Sequence, residues 1–160
     1  MTDIRAGVGY DIHRLTAGRP LLLGGVEIPY PQGLLGHSDG DVLLHAVADA
    51  LLGACTLPDI GELFPDTDLR FKDADSRRLL REVVAKVREA GFVPHNVDCT
   101  VHAEKPKLSE YKRSMAEAIA DMLGVEASRV SVKAKTNEGV GPVGEGKAIA
   151  ATVVVTVVQG

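Results

Sequence analysis

The last stretch of the chain, Ala148 to Val158, carries no charge and contains Val153-Val154-Val155. A run so apolar and β-branched reads as a strand with both faces covered, so the rest of the chain must provide layers around it. Two placements satisfy that demand: the centre of a sheet, or a seat against another subunit. Upstream segments supply the sheet. Ile4 to His13 alternates apolar and polar residues, as does Val97 to Ala103, and Val130-Ser131-Val132-Lys133-Ala134 reads as a further strand. Pro20-Leu21-Leu22-Leu23 and Val26-Glu27-Ile28 flank Gly24-Gly25, a hairpin signal in which the glycine pair takes positive φ angles. Between these lie three helical patterns: Val42 to about Gly53, Asp75 (an N-cap) to Gly91, and about Ser109 to Gly124. The implied fold is α+β, an α/β layer with a sheet covered by helices on one face.

Chemistry-bearing residues concentrate in two places. His37-Ser38-Asp39-Gly40-Asp41-Val42-Leu43-Leu44-His45 offers two imidazoles, carboxylates and a hydroxyl at the start of the first helix. Ser38 is placed to cap that helix, with Asp41 as its capping-box acid. His45 lies one turn past Asp41 and one turn before Asp49, which sets a carboxylate above and below the ring. Tyr10-Asp11-Ile12-His13 ends the first strand, where Asp11 and His13 share a face roughly 7 Å apart. Asp11, His13 and His45 together offer O, N and N ligands, three positions of a tetrahedral zinc with the fourth open. The same spacing also fits an Asp–His hydrogen bond at a strand end and a histidine satisfied in the core.

Composition removes several classes of function. With apolar residues at 45%, charged residues at 25% and a net charge of −4, this is the profile of a soluble single domain without a basic footprint for nucleic acid. Aromatic residues at 4%, with no Trp, argue against a base-stacking platform. No apolar run reaches membrane-spanning length and no basic-then-apolar leader is visible, which points to the cytoplasm of a bacterium or a mature plastid form. Cys55 and Cys99 lack metal-binding spacing and read as buried thiols in a reducing compartment. Pro58 to Asp68 reads as irregular, its Asp residues free to ligate or to serve turns. Gly139, Gly141 and Gly144 satisfy G-x-G-x-x-G, but a strand follows where a dinucleotide site needs a helix.

Taken in order, Gly9-Tyr10-Asp11-Ile12-His13, the His37–His45 segment, Asp49-Ala50-Leu51-Leu52-Gly53-Ala54, Asp59-Ile60-Gly61, Phe64-Pro65-Asp66-Thr67-Asp68, Ala74-Asp75-Ser76-Arg77, Pro106-Lys107 and Lys133-Ala134-Lys135-Thr136-Asn137-Glu138 resemble the 2-C-methyl-D-erythritol 2,4-cyclodiphosphate synthase family. The resemblance runs from about residue 4 to residue 158 and marks residues 1–160 as a single domain. It implies a homotrimeric lyase of the non-mevalonate isoprenoid pathway, with active sites at subunit interfaces. The substrate would be 4-diphosphocytidyl-2-C-methyl-D-erythritol 2-phosphate, whose 2-phosphate attacks the β-phosphorus and expels CMP. Asp11, His13 and His45 match the family's zinc ligands, and Glu138 the ligand of a second divalent ion, Mg²⁺ or Mn²⁺. His37 and Thr136 match residues that stabilise the transition state, and Ser38 assists at the diphosphate. Asp59-Ile60-Gly61 and Phe64-Pro65-Asp66-Thr67-Asp68 match the methylerythritol side of the pocket. Ala103-Glu104-Lys105-Pro106-Lys107-Leu108-Ser109 match the cytidine side, contributed by a neighbouring subunit, and Lys135-Thr136-Asn137-Glu138 match substrate-binding residues.

Pro58, Lys135, Asn137, Pro142, Glu145, Lys147 and Ala148 depart from the family's usual residues, while the catalytic set is unaltered. Two other classes predict different behaviour. A zinc phosphodiesterase or phosphatase would hydrolyse generic phosphate esters, and a non-catalytic phosphate-binding trimer would tolerate loss of His45.

Overall fold

Alternation of apolar residues lays down strands, and a computed structural model describing residues 3–160 joins them into sheets. The strands are β1 (Ile4–Ala17), β2 (Leu21–Leu23), β3 (Val26–Ile28), β4 (Gln32–Leu34), β5 (Phe92–His102), β6 (Val130–Lys135) and β7 (Ala148–Gln159). Five of them form one sheet in the order β4-β1-β7-β5-β6, and β2 pairs with β3 as the expected hairpin. Its turn residues Gly24 and Gly25 have φ angles of 60° and 77°, a conformation that favours glycine.

The apolar terminal strand is central: β7 pairs antiparallel with β1 on one side and with β5 on the other. Ile149, Ala151, Val153, Val155 and Val157 are fully buried beneath the helices. The expectation that both faces are covered holds for one face only. Val154 is 46% exposed, and on the same face of β1 so are Ile4 (63%), Val8 (68%) and Tyr10 (59%). Among the described residues no layer lies over this side, so an apolar strip remains open along two adjacent strands.

Helices α1 (Val42–Ala54), α2 (Ile60–Leu63), α3 (Ser76–Glu89), α4 (Lys112–Leu123) and α5 (Gly141–Gly144) follow in chain order. α1 is apolar almost all round because it is sandwiched between the sheet and α3. It approaches β1 closely enough that a Cβ on Gly7 would meet the Ala50 carbonyl oxygen at 1.9 Å, and one on Gly9 the Ala46 carbonyl oxygen at 1.9 Å. Two glycines on one strand face thus let the backbone of α1 rest on the backbone of β1. α3 has the cap foreseen for it, with Asp75 accepting from the Arg77 amide, and it buries Leu79, Leu80, Val83, Val84 and Val87.

Three local expectations need correction. Pro58 to Asp68 is not wholly irregular: Asp59 accepts from the Glu62 amide at 2.9 Å and closes the single turn of α2. The glycine-rich segment before β7 contains a one-turn helix, α5, with Pro142 in its first turn where no N–H is needed. α1 starts at Val42 with Asp41 as its N-cap, not at Ser38, because Gly40 at φ 79° breaks the helix before it.

Candidate metal and phosphate site

The close seat of α1 on β1 decides what meets what. Asp11 and His13 project from β1 toward the helix, and His45, one turn into α1, projects back. Asp11 Oδ2 lies 2.9 Å from His13 Nε2 and 3.1 Å from His45 Nδ1, and the two ring nitrogens are 3.2 Å apart. Donors about 2.0–2.1 Å from a tetrahedral zinc stand about 3.3 Å from one another. The triangle already has that size within a few tenths of an ångström, and an O, N, N set suits a divalent ion of borderline softness.

Electrostatics reinforces the arrangement. Burial raises the Asp11 carboxyl, but hydrogen bonds and charge from His13 and His45 outweigh it and hold the group well below the usual carboxylate range. Burial likewise lowers the His45 imidazole, and the hydrogen bond and charge of Asp11 more than reverse that, leaving it above the ordinary histidine value. A site that concentrates negative charge among buried nitrogens is primed for a cation.

The carboxylates expected above and below His45 are turned elsewhere. Asp41 is buried and accepts from the Gly24, Gly25 and Leu44 amides at 2.9, 2.8 and 3.0 Å, tying the hairpin turn to the start of α1. Asp49 accepts from the Ile60 amide at 2.8 Å and so fixes the entry to α2. Ser38, instead of capping, places Oγ 3.0 Å from His45 Nε2.

A cleft of about 460 Å³ opens over the triad. His37 and Ser38 line it beside Asp11, His13 and His45, facing Ile60, Gly61, Phe64 and Asp66. Phe71 and Leu79, which no motif had suggested, complete its apolar wall. His37 Nε2 donates to the Asp68 carbonyl at 3.2 Å. The Asp68 carboxylate itself is engaged by Arg70 and by the Arg70 amide, so this residue serves the site through its backbone. Pro65 and Thr67 do not line the cleft, and the Asp59 carboxylate is taken up in capping.

The remaining candidates form a second cluster. The Ala103 amide donates to the Lys135 carbonyl at 2.9 Å, and the Asn137 amide to Glu104 Oε2 at 3.2 Å, which brings the 103–109 and 135–138 segments together. Lys105–Pro106 is a cis peptide, and Leu108 is buried at 3% exposure, so it can offer a ligand only its backbone. Lys107, Ser109, Lys135, Thr136 and Glu138 are exposed, and none of this cluster lines the cleft. The sheet register explains the separation. Ile12 stands opposite Ala150, Ala150 opposite His102, and His102 opposite Lys135. Three strand spacings, about 14 Å, therefore divide the triad's strand from the strand that leads into Thr136.

Comparisons with known proteins extend over nearly the whole chain. The model of the YgbB family matches residues 4–158. A 2-C-methyl-D-erythritol 2,4-cyclodiphosphate synthase of Bordetella petrii is 59% identical over 150 residues, 94% of this chain and 93% of that protein. The synthase of Salinibacter ruber is 56% identical over 154 residues, covering 96% and 98% of the two chains. Among solved structures, the bifunctional IspDF of Campylobacter jejuni superposes with a TM-score of 0.96 at 45% identity, matching all of this chain and 43% of that longer one. A CDP complex of IspF from Plasmodium falciparum gives 0.86 at 35% identity, with 99% and 98% covered.

Proposed function

The chain belongs to the YgbB family of 2-C-methyl-D-erythritol 2,4-cyclodiphosphate synthases, and we propose that the Asp11–His13–His45 triad is the half of the active centre that one subunit supplies. The enzyme is a lyase of isoprenoid biosynthesis acting on a phosphorus–oxygen bond. It converts 4-diphosphocytidyl-2-C-methyl-D-erythritol 2-phosphate to the 2,4-cyclodiphosphate with release of CMP. The observation that carries the residue assignment is the triangle of donor atoms at 2.9–3.2 Å under the cleft.

The triad holds zinc, which when bound supplies Lewis-acid polarisation of the diphosphate. Asp11 brings the one negative charge among the three ligands, and each imidazole offers one ring nitrogen. Ser38 and His37 stand at the mouth of the cleft, where a hydroxyl and an imidazole reach phosphate oxygens without a protein nucleophile. Asp66 and the Ile60–Gly61 backbone provide polar partners for the methylerythritol hydroxyls, and Phe64, Phe71 and Leu79 shield that end from water. With both phosphates of one substrate held in the cleft, most of the rate comes from positioning and from stabilising developing charge.

The other half comes from a neighbour. Glu138, exposed and some 14 Å away across its own sheet, serves the triad of another subunit by holding the second divalent ion, Mg²⁺ or Mn²⁺. Thr136 joins it, and the Ala103–Ser109 segment takes the cytidine, as the CDP complex of the Plasmodium falciparum relative supports for the nucleotide class. The open strip of Ile4, Val8, Tyr10 and Val154 supplies an apolar contact for a closed ring, which we take to be a homotrimer. No helix among the described residues is long and apolar enough to cross a membrane. The two buried free thiols, Cys55 and Cys99, suit reaction in the cytoplasm. Incubating zinc-loaded protein with the diphosphocytidyl substrate and Mg²⁺ should give CMP and the cyclic diphosphate by phosphorus NMR. An unchanged spectrum with zinc present in the sample would overturn the proposal.

A further inference from the structure

His45 makes two sets of contacts, and only one belongs to the metal triangle. On the far side of the ring, Nε2 lies 2.9 Å from Ser76 Oγ and 3.0 Å from Ser38 Oγ. Ser76 is the first residue of α3 and 1% exposed. Its hydroxyl is 2.5 Å from Asp39 Oδ1, and its amide donates to Asp39 Oδ2 at 3.0 Å. Asp39 Oδ1 also accepts from the Asp41 amide at 3.1 Å. One carboxylate thus clamps the first turn of α3 to the His37–Asp41 turn.

From this network the geometry assigns Ser76 and Asp39 as positioning residues that hold His45 in the tautomer able to bind a metal. A serine hydroxyl has one proton, and an ionised carboxylate can only accept. The Ser76 proton therefore goes to Asp39, and Ser76 Oγ can only accept from His45. A ring that meets Ser76 therefore carries hydrogen on Nε2, which leaves Nδ1 available to a metal set between it, Asp11 and His13. Metal-ligating histidines commonly fix their other nitrogen on a carboxylate or carbonyl. Here the carboxylate acts one bond further away, through a hydroxyl.

Ser38 cannot replace this arrangement. Its Oγ accepts from the Gly40 amide at 3.3 Å, and its own proton is committed to no carboxylate. It can donate to Nε2 as readily as accept from it, and donation would place the ring hydrogen on Nδ1, where it blocks the metal. Ser76 removes that choice.

The inference rests on the metal reading above, and two measurements separate their failures. In zinc-loaded protein, long-range proton–nitrogen NMR reports which His45 nitrogen carries hydrogen and which one ligates. The expected answer for the unaltered chain is hydrogen on Nε2 with Nδ1 ligating; ligation through Nε2 overturns the relay without any variant having to fold. Zinc affinity, read by competition with a chromogenic chelator, should then fall about 10–100-fold in Ser76→Ala. A purely structural role would lower the melting temperature of Ser76→Ala while zinc affinity stayed unchanged, and that result also overturns the relay. If the unaltered chain binds no zinc, the metal reading fails, and the relay falls with it.

Discussion

If each active centre joins the triad of one subunit to Thr136 and Glu138 of the next, two inactive chains should restore each other. His45→Ala removes a triad ligand and leaves the second cluster intact, and Glu138→Gln does the reverse. Within one chain the two clusters lie three strand spacings apart, about 14 Å, whereas ligands of one diphosphate-bound pair of ions must converge within a few ångströms. No side-chain rotation closes that gap. When the two variants carry different affinity tags, are co-expressed and are purified on both tags, every recovered ring holds both chain types. Going round a ring of three with either composition, one interface sets an intact triad against an intact Glu138. Activity should therefore return to about one third of the unaltered level, whereas a two-membered ring would give about one half. CMP release is the assay, with each variant alone as the background. Mixed rings no more active than the single variants would refute the division of the site between subunits.

Two further outcomes follow from the geometry. Gly9→Ala places a Cβ 1.9 Å from the Ala46 carbonyl oxygen, so α1 must lift from β1 and carry His45 away from Asp11 and His13. A backbone clash of this kind should cost about 3 kcal/mol or more, a melting-temperature loss of about 6–12 °C. Zinc affinity should fall with it, and unchanged melting would contradict the close seat. The second concerns pH. In metal-free protein the raised His45 contributes stability that is full below its unfolded value of about 6.5 and lost as pH rises through its higher folded value. The lowered Asp11 contributes stability that is full above about 3.9 and lost as pH falls through its folded value. Their joint contribution peaks between about pH 4 and 6.5 without metal. With zinc the trend in the upper range reverses, because protons on His45 compete with the ion and binding tightens as pH rises. Thermal melts across pH with and without zinc test this, and parallel curves would rule it out.

Much of the fold was legible because it depends on local pattern. The period-two alternation of β1 and β5, the glycine pair of the hairpin and the Asp75 cap of α3 each state their structure within a few residues. The triad was legible in part: strand periodicity put Asp11 with His13 on one face, while a strand-end hydrogen bond and a core histidine stayed open until the seat of α1 on β1 brought His45 to them. What the sequence concealed were partnerships set by tertiary contact. Ser38 and Asp41 form a plausible capping box, yet Gly40 breaks the helix and Asp41 spends its oxygens on amides of a hairpin some 16 residues upstream. Ser76 looks like an ordinary first-turn residue until α3 is docked against the His37–Asp41 turn. The open face of β1 and β7 was legible only as one of two alternatives, because a strand buried by helices on one side and by a second subunit on the other reads the same as one buried within a single chain.

That ambiguity has a physical reason with consequences for the site. Hydrophobic patterning records burial in the assembled state and does not say which chain provides the cover. On the proposed division of the site the same blindness applies to the chemistry: Thr136 and Glu138 face solvent in their own subunit, as Ile4, Val8 and Tyr10 do on the sheet. If the proposed ring forms, the exposed apolar residues and the exposed Thr136 and Glu138 share one explanation. Closing such a ring would cover the first and complete the second, so binding the diphosphocytidyl substrate across the interface should stabilise the ring itself. Ligand that bridges two subunits favours the assembled state by the logic of any ligand that binds only one state. CDP with Mg²⁺ should accordingly shift dissociation of the ring, read by light scattering on dilution, to lower protein concentration. The His45→Ala and Glu138→Gln chains should each show a smaller shift. A shift of equal size in the unaltered and substituted chains would mean that the nucleotide is held by one subunit alone.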